Sequence, residues 1–290
     1  MRRGEFAQDF PIEEHYTNLN HGSFGVCPLP VSRHVRSISD SHQISFGKFR
    51  SERLDNLLIA SRKALSGILG TNYENLVYVR NASEALQTAV NAVKIMGEQG
   101  SLYLKRIVTT NHEYSSTNEL LSDLAATLEI PLIIVNISHR SREAVTTALL
   151  EQAGDCSLVL VSHITSPWAE RLDIDSLAGQ LPLSSVLIVD AAHSPGCSPI
   201  GREVYERAFV AMSLHKWGFF PLGTGALSTP SDYHNFTKPV VCSLYHNQSY
   251  AKRFSWVGTD NYLNYLVGET VADWFNMLTE KNWDFGQFLI

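Results

Sequence analysis

The chain has 290 residues, 44% of them apolar and 18% charged, which is enough apolar material for a sizeable core and marks a folded globular protein. Its 23 basic and 29 acidic residues give a formal net charge of -6, which argues against an electrostatic footprint for nucleic acid. Apolar runs such as 130–135 and 186–189 fall far short of the roughly 18 residues that cross a bilayer, so no transmembrane helix is expected.

The N-terminus opens Met1-Arg2-Arg3 and meets Glu5, Asp9, Glu13 and Glu14 with no apolar stretch between them. That pattern fits neither a signal peptide nor an acid-poor transit peptide, and a cytoplasmic protein is expected. A turn-rich segment follows, Asn20-His21-Gly22-Ser23-Phe24-Gly25, and then two helices near 31–45 and 54–69. From there β-rich runs over 76–79, 107–110, 132–137, 158–162, 186–190, 209–213 and 225–228 alternate with helical patterns over 83–96, 115–128, 141–152 and 174–180. The alternation predicts repeated right-handed βαβ units: an α/β fold with a mostly parallel seven-stranded sheet and helices on both faces. Residues 230–255 read as irregular, and an amphipathic helix is expected over 262–278, followed by Asn282-Trp283-Asp284-Phe285-Gly286.

Four cysteines, Cys27, Cys156, Cys197 and Cys242, lie far apart with no C-x-x-C pair, so neither a metal site nor a disulfide framework is expected. Sequons at Asn81, Asn136, Asn235 and Asn247 carry meaning only in a secreted chain and are read as chance.

In open α/β sheets ligands bind outside the carboxyl ends of the strands, so the residues that follow each strand are the candidates. After 76–79 stands Arg80-Asn81-Ala82-Ser83-Glu84, where Asn81 or Ser83 can cap a helix and Glu84 completes a capping box. A helix start with free N–H groups and a hydroxyl suits a phosphate, though an ordinary cap explains the same residues. After 107–110 stands Asn111-His112-Glu113-Tyr114, in which either ring could stack on a flat ligand. After 158–162 comes His163-Ile164-Thr165-Ser166-Pro167, which alone is only a turn.

The apolar run 186–189 ends in Asp190, followed by Ala191-Ala192-His193. A carboxylate at the end of a central strand is costly unless it meets a cation or donors. The strand 209–213 runs out into Ser213-Leu214-His215-Lys216-Trp217-Gly218. An apolar, aromatic surround lowers a lysine's pKa, and such a lysine can form a Schiff base. Phosphate seat, flat ring, carboxylate and lysine together ask for pyridoxal 5′-phosphate, whose protonated ring nitrogen acts as an electron sink beside an aspartate.

On these residues the chain resembles the class V aminotransferase family of fold-type I pyridoxal-phosphate enzymes. The anchors run from about residue 18 onward: Leu19-Asn20-His21-Gly22-Ser23-Phe24-Gly25, Asn81-Ala82-Ser83-Glu84-Ala85, His112-Glu113-Tyr114, Asp190-Ala191-Ala192-His193 and Ser213-Leu214-His215-Lys216. The opening and the His-Glu-Tyr loop look most like the isopenicillin-N epimerase-like branch, which includes the hercynylcysteine sulfoxide lyases of ergothioneine synthesis. The resemblance implies that Lys216 carries the cofactor, Asp190 faces the pyridine nitrogen and His193 approaches the ring hydroxyl. It implies phosphate contacts from Ala82, Ser83, Ser213 and His215, ring stacking by His112 or Tyr114, and Thr259 reaching the phosphate of a second subunit in a homodimer. Asn20, His21, Gly22 and Ser23 then belong to the substrate entrance.

The implied division is an entrance segment over 1–50, a cofactor-binding large domain over 51–258 and the start of a C-terminal domain over 259–290. In the family that last domain carries the arginine for the substrate carboxylate and, in cysteine desulfurases, the catalytic cysteine. No persulfide cysteine is therefore assigned here, and desulfurase activity is disfavoured. A carbon–sulfur lyase on a cysteine conjugate such as hercynylcysteine sulfoxide is the leading expectation, with an epimerase or transaminase behind it. From a different class comes a catalytically silent homologue acting as a binding or dimerisation partner. A serine hydrolase built on Gly22-Ser23-Phe24-Gly25 fails, because the G-x-S-x-G spacing is absent.

Overall fold

The computed structural model describes residues 6–13 and 15–280. Two helices, α1 (Leu29–Ile44) and α2 (Phe46–Lys48), lead through a π-helical stretch, Phe49–Arg53, into α3 (Leu54–Leu69). Next come β1 (Leu76–Val79), α4 (Ala82–Glu98), β2 (Arg106–Thr110), α5 (Ser115–Leu128), β3 (Leu132–Val135), α6 (Arg142–Ala153), β4 (Ser157–Ser162) and α7 (Ile174–Gln180). The chain continues through β5 (Val186–Asp190), α8 (Arg202–Arg207), β6 (Ala208–Ser213), β7 (Gly225–Ser228), α9 (Tyr250–Arg253) and α10 (Gly268–Glu280).

The seven strands form one sheet in the order β1-β7-β6-β5-β4-β2-β3, and β7 alone runs antiparallel to its neighbours. Side chains alternate across it as a period of two requires. Val186 and Ile188 pack with α4 and α5 on one face, while Leu187 and Val189 pack with the opposite helical layer, which includes α3, α6, α7 and α10. Strands buried on both faces read as continuous apolar runs, which is why the central ones were legible.

The mostly parallel seven-stranded sheet with helices on both faces is as expected, and so are the bounds of α3, α5, α7, β1, β5 and β7. Three local readings change. β3 ends at Val135 rather than 137, because Asn111 Oδ1 accepts from Ile137 N–H at 2.8 Å and draws the chain off the strand path. The expected helix over 262–278 is a 3-10 stretch, Tyr262–Val267, followed by α10. The change falls at Gly268, whose N–H donates to the buried Ser61 hydroxyl at 2.9 Å and where a Cβ would lie 2.3 Å from Ser61 O, so α3 fixes the junction. Short helices at α8 and α9 were not foreseen; each is too brief for periodicity to show. The 282–286 motif lies outside the described residues. Among the described residues no helix is long and apolar enough to cross a membrane, and no cluster of His, Cys, Asp and Glu could hold a metal ion.

Candidate active site

The carboxyl ends of β1, β4, β5 and β6 open on one cavity of about 640 Å³. At one end stands the start of α4. Asn81 caps it by accepting from Glu84 N–H at 2.9 Å, while Glu84 accepts from Arg80 N–H at 2.9 Å, one residue further back than a standard capping box. Ala82 and Ser83 line the cavity there, and Ser213 Oγ, from the end of β6, accepts from Ala82 N–H at 3.3 Å. Behind them Gly225 lets β7 pass, since a Cβ at that position would lie 2.7 Å from Asn81 Cα. His215 donates from Nδ1 to the Thr224 carbonyl at 3.0 Å, which leaves Nε2 for the cavity.

At the other end stand Asp190, His193 and Lys216. Asp190 closes β5 and is buried; its Oδ1 accepts from Ala192 N–H at 2.9 Å. Burial raises its pKa, opposed by that hydrogen bond and by Lys216. Lys216 Nζ lies 3.2 Å from His193 Nε2, and burial lowers its pKa against the pull of Asp190. Burial, and secondarily the Lys216 charge, push His193 down to about 4, so its ring is neutral at physiological pH.

The N-terminal segment roofs this end. Asn20, Gly22 and Ser23 line the cavity. His21 does not line it: its ring donates to the Lys216 carbonyl at 3.1 Å and stacks on Trp217 with centroids 5.2 Å apart. It fastens the roof to the Lys216 turn. Gly25 makes the tightest crossing, where a Cβ would lie 2.1 Å from the His215 carbonyl and 2.6 Å from that of Lys216. A Gly25→Ala variant is therefore expected to lose about 1–3 kcal/mol and to melt several degrees lower, whereas Gly47→Ala, with nothing within 4 Å, is neutral or slightly stabilising. Paired thermal melts check this.

His112 and Tyr114 differ in what surrounds each ring. Tyr114 lines the cavity and is half exposed. His112 is buried away from it, with Nδ1 3.0 Å from Glu170 Oε2 and Nε2 3.1 Å from Ser138 Oγ. Two polar partners thus hold the His112 ring, and it is not among the residues that line the cavity. Thr259 is exposed and does not line the cavity of its own chain.

Sequence reasoning missed Arg80, which lines the cavity and pairs with Glu84 at 2.9 Å, and Trp217, which packs beside His193. It also missed Glu113, whose carboxylate receives Thr110 Oγ1 at 2.7 Å, Ser162 N–H at 3.2 Å and Ser162 Oγ at 2.5 Å. The signal for Glu113 was a carboxylate between two strand-end hydroxyls, visible only once β2 and β4 are paired. Burial raises its pKa to about 7, against those hydrogen bonds. A proton held more tightly in the fold than in the unfolded chain gives stability that is full below pH 4.5 and lost as pH rises through 7. Glu113→Gln, which keeps two of the three bonds at its oxygen and reverses the third by donating to the Ser162 hydroxyl, is expected to abolish that loss, worth about 2.5 kcal/mol, in denaturant melts compared at pH 5 and pH 8.

A larger groove of about 970 Å³, lined by Arg62, Tyr73, Arg202 and Tyr250 among others, opens at the opposite edge of the sheet and holds no lysine–carboxylate pair. The smaller cavity, which holds both Asp190 and Lys216, is the candidate site.

A family model described as aminotransferase class-V matches residues 40–275. Among curated relatives, isopenicillin N epimerase of Amycolatopsis lactamdurans is 26% identical over 235 residues, covering 78% of this chain and 57% of that protein. A probable chloroplastic L-cysteine desulfhydrase of Arabidopsis thaliana is 23% identical, covering 90% of this chain and 58% of that protein. Hercynylcysteine sulfoxide lyase of Schizosaccharomyces pombe is 20% identical, covering 82% and 60%. The chain thus spans 57% to 60% of the length of these relatives. A solved structure described as a C-DES mutant with glycine covalently linked to the PLP cofactor superposes with a TM-score of 0.79 at 17% identity, covering 95% of this chain and 76% of that one.

Proposed function

We propose a function from one premise: this chain belongs to the class V aminotransferase family. Its cofactor is pyridoxal 5′-phosphate, and the residues present fit that group. Hydroxyls, a ring nitrogen and a helix start gather at one end of the cavity, and a buried carboxylate and a desolvated lysine gather at the other. Ser83, Ser213, His215 and the start of α4 would hold the phosphate. Asp190 would hold the ring nitrogen, His193 the ring hydroxyl, Tyr114 the ring face and Lys216 the aldehyde carbon.

When bound, the cofactor supplies a ring that takes up the electron pair left as a proton departs from the substrate α-carbon. Lys216, its pKa lowered by burial, would hold the cofactor's aldehyde carbon and, in the presence of substrate, would be the base that holds the α-proton at Nζ. Asp190 would keep a positive ring nitrogen in place, and the roof at residues 20–25 would limit water.

The reading we favour is a carbon–sulfur lyase acting on a cysteine conjugate, with hercynylcysteine sulfoxide as the specific candidate. The sulfur leaves with the bonding electrons after the α-proton is taken and takes up a proton, and the three-carbon aminoacrylate left behind is hydrolysed by water to pyruvate and ammonia. Support comes from the similarity to a hercynylcysteine sulfoxide lyase and to cysteine desulfhydrases. The observation that carries the reading is the convergence of Asp190, His193 and Lys216 on one cavity. Assay of pyruvate from cysteine conjugates and hercynylcysteine sulfoxide is expected to show release, and racemisation or keto-acid exchange alone would replace the lyase by the epimerase or transaminase reading. The same proposal places a homodimer in the cytoplasm, with exposed Thr259 reaching the phosphate of the other subunit. Size-exclusion chromatography is expected to give about twice the chain mass of 32.3 kDa.

A further inference from the structure

Three side chains form a line at the closed end of the cavity: the Trp217 indole, the His193 imidazole and the Lys216 amine. Trp217 Nε1 donates to His193 Nδ1 at 3.4 Å, and His193 Nε2 lies 3.2 Å from Lys216 Nζ. The indole nitrogen has only a hydrogen to offer, so Nδ1 must present its lone pair. A neutral imidazole that accepts at one nitrogen carries its hydrogen on the other. His193 is then an Nε2–H donor, and the partner in front of it must accept.

We propose that Trp217 is a positioning residue that fixes the His193 tautomer, so that His193 donates to Lys216 and holds its nitrogen as the free-base nucleophile that an aldehyde requires. The opposite tautomer would present a lone pair to Lys216 and favour the ammonium form, which has no lone pair for a carbonyl carbon. The indole is itself held. His21 stacks on it with planes 30° apart, and a Cβ at Gly22 would lie 3.3 Å from both the Trp217 and His193 rings. The neutral state of His193 in the free protein agrees with this arrangement. The other titratable groups around Lys216 act in known directions. Asp190 favours its charged form, while His215 lies beside it in the chain and His21 bonds only its carbonyl oxygen.

The inference rests on the cofactor reading above, and the test separates the two. With histidine labelled in ¹⁵N, the cofactor-free full chain is expected to show His193, assigned with a His193→Gln variant, protonated at Nε2. Trp217→Phe keeps a ring against His21 and removes the N–H, and the signal is expected to move toward the Nδ1–H form. Pyridoxal phosphate captured at Lys216 is then trapped with borohydride and read by peptide mass as a function of pH. In Trp217→Phe the midpoint is expected to rise by about one pH unit and the rate at pH 7 to fall about tenfold. A His193 protonated at Nδ1 in the unaltered protein overturns the inference whether or not the variant folds, and so does an unchanged pH profile in a folded variant. Failure of the unaltered chain to capture the cofactor at Lys216 removes the cofactor reading instead, and the tautomer measurement still decides the role of Trp217.

Discussion

Replacing Lys216 by alanine is expected to abolish the visible band that pyridoxal phosphate gives when linked to the protein, together with the borohydride-trapped label on the peptide containing residue 216. The effect should be nearly complete, because the replacement removes the group proposed as both attacking nitrogen and base. Turnover is expected to fall by at least about 10⁴-fold. Among the described residues that line the cavity, Lys216 is the only lysine. The fold should survive, since Asp190, whose pKa burial raises, can take up a proton once the amine that favours its charge is gone. A melting temperature within a few degrees of the unaltered protein, alongside complete loss of the band, is the expected pair of results. Label appearing on a different lysine, or a band that survives, would remove the assignment.

Replacing Asp190 by asparagine is the second large effect, and it separates charge from shape. One carboxylate oxygen is engaged by Ala192 N–H, and an asparagine can keep that bond through its carbonyl oxygen. What it cannot do is accept from a protonated ring nitrogen with a negative charge. Its amide presents a donor where an acceptor is required. Turnover is expected to drop by 10²- to 10³-fold, the order seen when one oriented electrostatic partner is removed from a reacting site. Stability should move the other way. Burial raises the Asp190 pKa, so its proton is held more tightly in the fold than in the unfolded chain. Its contribution is thus present at low pH and lost as pH rises through the raised value, and asparagine removes that loss. A variant that is no less stable at pH 8 yet binds the cofactor weakly and turns over slowly marks a residue kept for chemistry. A stable variant with unchanged turnover would assign Asp190 to the architecture alone.

Much of this molecule could be read from the chain because its regular elements repeat. Apolar runs such as Val186-Leu187-Ile188-Val189 specify strands buried on both faces, and 3.6-residue patterns such as that of Leu54–Leu69 specify helices laid over them. Once the strands are placed, the rule that ligands meet their carboxyl ends singles out Asp190 and the Lys216 loop with no coordinates at all. Where periodicity stops, so does that determination. The loop 111–114 offers two rings, and only the pairing of His112 with Glu170 and Ser138, both distant in sequence, turns one ring away and leaves Tyr114 at the cavity. His21 could be placed near a ligand by position but not distinguished from a clamp, because its partner is a backbone carbonyl of residue 216. Glu113 and Trp217 acquire their roles from Ser162 and His193, which reach them only when β2 meets β4 and the turn after β6 folds beside the one after β5. The sequence by itself determined the layered sheet and the residues at its reactive edge, since those follow from local periodicity and chain direction. Only the tertiary structure decided which side chains face the cavity and which hold the others in place, since loop orientation is set by hydrogen bonds between residues far apart in the chain.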